Sequence, residues 1–272
     1  MSDLRKGVPA MAVIGRRGRA TTLTLALAAV FFFQPSEVLA ESAGQSSLAT
    51  ATRQQKFAFI LFYRTNNAAT QAMYKVLHAE VERRDNAALV PLNITDAQER
   101  EIVEQYDASR TPMPAVMAVA PNGAITGVFA QKLLPAHVES AIVTPAQTQC
   151  MRALQDKKLV LLCVHPAGSR KVPVGVQQFR SDSLNVNRTH LVSIQAGDPA
   201  EVKFLQQLKV RSDTSTAVTA FMAPPGVLLG TYNDKVTPTI LMNRLAAAGQ
   251  CCADPNCKHR QAASAARPTT RR

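Results

Sequence analysis

Three cysteines and a histidine crowd the C-terminal region. Gln250 to His259 reads QCCADPNCKH, so Cys251, Cys252, Cys257 and His259 fall within nine positions. Thiolate and imidazole are the ligands of soft and borderline ions, and a copper(I) or zinc(II) site is one chemistry open to them. The spacing departs from the usual paired Cys-x2-Cys arrangement, and adjacent cysteines do not easily aim both sulfurs at one ion. Structural disulfides are a second possibility, Cys252 to Cys257 or either one to Cys150, and redox-active thiols a third. With Cys163 the chain holds five cysteines, an odd number, so an oxidising setting leaves at least one thiol free or intermolecular.

Elsewhere the chemistry-bearing residues are dispersed. His78, His137, His165 and His190 sit in no metal-ligand or metalloprotease pattern. No Gly-rich phosphate loop, serine-hydrolase elbow or paired-acid signature occurs. Apart from copper or zinc at the tail, no cofactor is expected.

The chain has 272 residues, 46% of them hydrophobic, enough for two domains of about 100 residues each. Residues 1–40 read as a signal peptide. Arg5, Lys6, Arg16, Arg17 and Arg19 form a basic start, Leu23 to Phe33 an apolar run, and Val38-Leu39-Ala40 a small-residue cleavage site. The uninterrupted apolar run is shorter than the roughly 20 residues a bilayer demands, so no stable membrane span is expected after cleavage. The mature protein is expected to be exported, either periplasmic or secreted. Net charge is +12, with twelve Lys/Arg against six Asp/Glu in residues 151–250 and five against one in 251–272. That bias suits either an acidic surface as partner or a solvated basic surface that only aids solubility. With 5% aromatic residues, no Trp and no aromatic-basic interleaving, the stacking platforms of a single-strand binder are missing, and no sequence-specific nucleic acid is expected.

Periodicity then supplies the elements. Lys56 to Arg64 (KFAFILFYR) has the composition of a strand, and Ala68 to Arg84 places Met73, Val76, Leu77 and Val81 on one helix face. Ala88 to Ile94 follows as strand and Ala97 to Tyr106 as helix. Ala115 to Ala120 and Ala124 to Ala130 flank the turn Pro121-Asn122-Gly123, and Pro135 opens a last helix. The order recurs about 100 residues later: strand 159–165, helix 172–184, strand 189–195, helix 201–210, a hairpin through Pro224-Pro225-Gly226, and a helix from Pro238. Ala120, Pro121, Gly123, Gly127 and Pro135 match Ala223, Pro224, Gly226, Gly230 and Pro238 at a constant offset of 103. The chain is thus expected to be duplicated, with 47–144 and 145–250 as its domains, residues 144–156 as a linker or short leading helix, and 251–272 as a Cys-containing basic tail whose last stretch, 260–272, is small, polar and basic and expected to be disordered.

A βαβ half followed by a ββα half, together with Tyr106 to Gly123 (YDASRTPMPAVMAVAPNG), resembles the thioredoxin superfamily. Pro114 matches the cis-proline of that family by its distance from the turn glycine. The resemblance implies an α/β fold of two tandem thioredoxin-like domains, each a central mixed sheet flanked by helices. It also marks what is missing. Where thioredoxins carry Cys-x-x-Cys the chain has Asn67 and Thr70, which form no thiolate and leave disulfide exchange without a nucleophile. Leu61 stands where the family keeps a buried acid. The second copy has His165-Pro166-Ala167-Gly168-Ser169-Arg170 at the corresponding loop and Ala217 at the proline position, where a trans peptide is expected. The family surface beside the cis-proline takes extended peptide, which would place Asn67, Thr70, Met113 and Pro114 at a binding site for a protein or peptide partner. The expected function is that of an exported, non-catalytic binding or scaffold protein; the alternative is a thiol-redox or metal-handling protein acting through Cys251, Cys252, Cys257 and His259.

Overall fold

The computed structural model describes residues 42–249. The expected signal peptide and the cysteine-rich tail lie outside the described residues. Within them the chain forms two copies of one α/β arrangement. The first runs α1 (Ala43–Arg53), β1 (Phe57–Tyr63), α2 (Ala68–Glu82), β2 (Ala87–Asn93), α3 (Arg100–Gln105), β3 (Ala115–Val119), β4 (Ile125–Ala130) and α4 (Pro135–Ala141). The second runs α5 (Pro145–Gln155), β5 (Leu159–His165), α6 (Val174–Ser181), β6 (Thr189–Gln195), α7 (Val202–Gln207), β7 (Val218–Ala223), β8 (Val227–Tyr232) and α8 (Pro238–Gly249).

The strand orders are β2-β1-β3-β4 and β6-β5-β7-β8, with the first pair of each sheet parallel and the rest antiparallel. This is the mixed four-stranded sheet of a thioredoxin-like domain, present twice. Registers agree residue for residue. Phe57 lies opposite Ala87 and Leu159 opposite Thr189, and Leu61 faces Val116 as Cys163 faces Thr219. The offset is 102 through the first two strands of each repeat and the helix after them, and 103 from the third strand onward, so one residue is inserted between α7 and β7.

The central strands carry apolar residues on both sides because both faces of each sheet are covered. In β1, Phe59 and Leu61 meet Met73 and Leu77 of α2 and Val138 of α4, whereas Ile60 and Phe62 meet Leu92 and the α3 residues Ile102 and Val103. In β5, Val160, Leu162 and Val164 pack with Cys150, Phe204 and Leu205, and Leu161 and Cys163 with Val176, Phe179 and Leu241. The repeated glycines of the edge strands have a packing reason. A Cβ on Gly127 would lie 2.7 Å from the Phe129 ring, and one on Gly230 would lie 2.6 Å from the Tyr232 hydroxyl.

Helix α1 was not expected from periodicity, and the segment left open as linker or leading helix is helical as α5. Both begin with a hydroxyl N-cap. Ser42 and Gln45 form a reciprocal capping box at α1, and Thr144 accepts from the Gln147 N–H at α5. Each helix start is also held by a buried carboxylate. Glu99 accepts from the Gly44 N–H at 2.9 Å and from the Ser42 hydroxyl at 2.7 Å, and Glu201 accepts from the Ala146 N–H at 2.8 Å. A Cβ at Gly44 would collide with the Glu99 carboxylate.

Helix α5 serves both repeats. Ala146, Cys150, Ala153 and Leu154 belong to the second core, while Met151 packs against the first. Its Gln155 side chain clamps the β4 edge, accepting from the Ile125 N–H at 2.9 Å and donating to the Ile125 carbonyl at 2.6 Å, and Arg152 donates to the Gly123 carbonyl at 3.1 Å. Removing a buried acceptor strands its donors, at about 2 kcal/mol. Glu99→Ala and Glu201→Ala are each expected to lower unfolding stability by about that amount, read as a fall in the urea midpoint with unchanged slope.

Candidate functional site

The loop after β1 is a closed set of local hydrogen bonds. Asn67 is the N-cap of α2: its Oδ1 accepts from the Thr70 N–H at 3.0 Å, and its Nδ2 donates to the Thr65 hydroxyl at 3.3 Å. The Thr70 hydroxyl donates to the Thr65 carbonyl at 2.9 Å. Asn67 is exposed and Thr70 is buried. The two residues at the dithiol positions therefore meet at the helix start, with their polar atoms satisfied by each other and by the loop. Neither of these two side chains can ionise. Leu61 is buried among Met73, Leu77 and Val116, a site in which a carboxylate would have no partner.

Met113 and Pro114 reach the same end of the sheet through strand pairing, since Ala115 lies opposite Phe62 and Tyr63 begins the exit to the loop. The Met113–Pro114 peptide is cis, Pro114 is buried, and its carbonyl accepts from the Gln131 N–H at 2.7 Å. The backbone N–H and C=O of Met113 make no hydrogen bond among the described residues. The Met113 side chain packs toward the Ile60, Phe62 and Ile102 face. The other face holds a cleft of about 410 Å3, lined by Leu61, Tyr63, Asn66, Thr70, Tyr74 and Pro91. Of the four residues expected to form a binding site, Asn67 and Thr70 are in direct contact. Met113 and Pro114 share their end of the sheet but do not line the cleft. Tyr63, Asn66 and Tyr74 were not singled out from sequence, because a half-exposed tyrosine on a strand or helix has the pattern of ordinary packing.

At the corresponding place in the second repeat stands His165, 1% exposed, with neither ring nitrogen hydrogen-bonded among the described residues. Burial pushes its pKa below the ordinary value, opposed in part by the Lys171 backbone. The following loop is tied down by the Gln195 amide donating to the Ser169 carbonyl at 2.8 Å. Ala217 follows a peptide absent from the cis bonds of the described residues, which are Met113–Pro114 and Pro224–Pro225. The second cis bond lies in the hairpin turn, where the Gly226 N–H donates to the Ala223 carbonyl. No sequence signal separates that turn from an ordinary one.

The two described cysteines are free and buried. Burial and the neighbouring Glu201 push the Cys150 thiol up to about 12, and burial also raises Cys163, whose sulfur lies 3.6 Å from the Thr219 hydroxyl. Both shifts disfavour the thiolate that a nucleophile requires. Cys251, Cys252, Cys257 and His259 lie outside the described residues; within these, no group of three or more His, Cys, Asp or Glu side chains could hold a metal ion. No helix among the described residues is long and apolar enough to cross a membrane.

The strand order and register describe two thioredoxin-like domains, with Asn67 and Thr70 at the start of α2 in the first. Comparison with solved structures gives the following likenesses. Mitochondrial thioredoxin 3 from Saccharomyces cerevisiae is 17% identical, over 36% of this chain and 86% of its own, at a TM-score of 0.29. The NTD_N/C domain of alkylhydroperoxide reductase AhpF from Enterococcus faecalis is 12% identical over 74% and 96% at 0.27. The first two thioredoxin domains of Saccharomyces cerevisiae Eps1p are 11% identical over 72% and 94% at 0.26. No protein-family model matches the chain, and no curated protein matches it in sequence. The fold statement rests on strand order and register.

A histidine whose pKa is depressed by folding binds its proton more readily in the unfolded chain, so acid favours unfolding. His165 and His190 are both lowered, the latter by burial and by Lys158 and Arg180. Stability is therefore expected to be level above the ordinary histidine value of 6.5 and to fall as pH drops below it, by at most about 1.4 kcal/mol per pH unit for each histidine. His165→Phe should remove one proton's share of that slope, measured from urea midpoints across a pH series.

Proposed function

We propose that the protein is an exported, non-catalytic binding or scaffold module that recognises a protein segment through its first repeat and an acidic surface through its basic second repeat. The observation that carries this is the pairing of a self-satisfied Asn67–Thr70 cap with an unpaired backbone at Met113 on the same sheet end. An extended segment can pair with the Met113 N–H and C=O as a strand pairs with a sheet edge, while its side chains find the Met113 thioether on one side and the Tyr63–Tyr74 cleft on the other. The second repeat adds twelve cations against six anions in residues 151–250, which favours encounter with negative partners.

The alternative, thiol-redox or metal chemistry, depends on the tail, because Cys150 and Cys163 are buried with raised pKa values. The first reading is tested by selecting extended peptides from a random library against the full chain. Peptides recovered there are expected to bind Met113→Arg and Tyr74→Ala variants at least tenfold more weakly. Equal binding by both variants would exclude this sheet end.

A further inference from the structure

The second repeat departs from the first at the end of its long helix. Helix α2 has 15 residues and α6 has 8. Where α2 makes its last turn, the second repeat has the turn Asp182–Arg188. It is tightly built: the Asp182 carbonyl accepts from the N–H groups of Asn185 and Val186, both at 2.9 Å, the Asp182 carboxylate accepts from the Leu184 N–H at 2.9 Å, and the Asn185 carbonyl accepts from the Arg188 N–H at 3.1 Å. Asn185 is 1% exposed, with its amide 3.6 Å from the Met242 sulfur of α8. The turn is thus pinned inward by Asn185, and its neighbours are turned out. Leu184 is 72% exposed, Val186 53%, and Met242 beside them 38%. In the first repeat the corresponding stretch, Glu82 to Asn86, is mostly charged, and its arginines pair with Glu80.

Several cations lie on the chain that adjoins this turn. Lys157 and Lys158 enter β5, and the Leu159 N–H donates to the Arg188 carbonyl at 2.7 Å, which sets Arg188 beside them. Arg180 ends α6, and both it and Lys158 act on His190. Lys157, Arg180 and Arg188 are exposed. The nearby acids are engaged: Asp182 holds the turn, and Asp156 pairs with Arg152 at 3.2 Å.

We propose that the Asp182–Arg188 turn docks the second repeat on an anionic lipid surface, with Leu184 and Val186 entering the interface and Lys157, Lys158, Arg180 and Arg188 meeting the headgroups. The occupant follows from the chemistry. Protruding aliphatic residues with exposed cations, outside any ion pair among the described residues, on the adjoining chain match a soft, planar, negatively charged apolar boundary, whereas protein interfaces favour aromatic anchors with charge depleted at the core. This rests on the reading that the chain recognises an acidic surface and narrows it to one partner and one place.

The test is hydrogen–deuterium exchange and vesicle co-sedimentation of the full chain with phosphatidylcholine vesicles, with and without phosphatidylglycerol, and separately with polyglutamate. Residues 1–40 are common to every variant, so differences report the turn. Protection of amides 182–188 by anionic vesicles alone, reversed by salt, is expected. Leu184→Ser with Val186→Ser should bind those vesicles on the order of tenfold more weakly, and Lys157→Ala with Arg188→Ala about fivefold more weakly per cation removed. Vesicle binding without protection of 182–188, or unchanged binding by the serine variant, would overturn the proposal. Protection by polyglutamate but not by vesicles would also overturn it while leaving the acidic-surface reading standing; protection by neither would remove both, and peptide binding at Met113 would be untouched.

Discussion

A buried carboxylate at the start of each leading helix is the constraint from which the arrangement of the chain follows. Glu99 and Glu201 lie beneath the first turns of α1 and α5 and accept from backbone N–H groups that the helix itself cannot satisfy. Because α5 is held to the second sheet by Glu201, its opposite face is free to present Met151, Arg152 and Gln155 to the first. The amide of Gln155 behaves as a missing strand on the β4 edge, supplying one donor and one acceptor to Ile125. One helix therefore pairs with the first residue of the β4 edge and ties the two repeats together.

The same logic of local satisfaction governs the loop at the end of β1. A thioredoxin-like helix start is suited to an anion, and here that place is filled by neutral groups bonding to one another. The first position is exposed and the second buried, as a nucleophile and its resolving partner would need, yet the side chains are an amide and a hydroxyl. The second repeat differs: it has a buried imidazole with no hydrogen-bond partner among the described residues, and a thiol and a hydroxyl, Cys163 and Thr219, where the first repeat has Leu61 and Val116. The two copies share the strand order and differ in the residues at this end of the sheet.

Much of the fold was legible because it rests on signals that survive in one sequence. FAFILFY and LVLLCVH are doubly buried central strands, and the proline and glycine offsets mark duplicated hairpins. Helix α1 escaped notice because its composition is polar and its pattern weak, although Ser42-x-x-Gln45 and Thr144-x-x-Gln147 are both capping sequences. The anchors were likewise present as Asp96-x-x-Glu99 and Asp198-x-x-Glu201, but a glutamate in a surface-like stretch has no mark of burial until the helix above it is in place. At the candidate site, Asn67, Thr70, Met113 and Pro114 could be placed by their distance from landmarks. The cleft beside Tyr63 and Tyr74 could not, since it arises from the packing of α2 across β1 and β2.

Restoring the dithiol asks directly whether this loop is a thioredoxin site emptied of its nucleophile. Asn67→Cys with Thr70→Cys places two thiols at the N-cap and first turn of α2, one exposed and one buried. The measurement is reduction of insulin disulfides by dithiothreitol in the presence of the native chain and of the double variant. The account predicts no acceleration by the native protein, and in the variant a disulfide within the loop and catalysed reduction. Acceleration by the native chain, or a double variant that forms no loop disulfide, would contradict it.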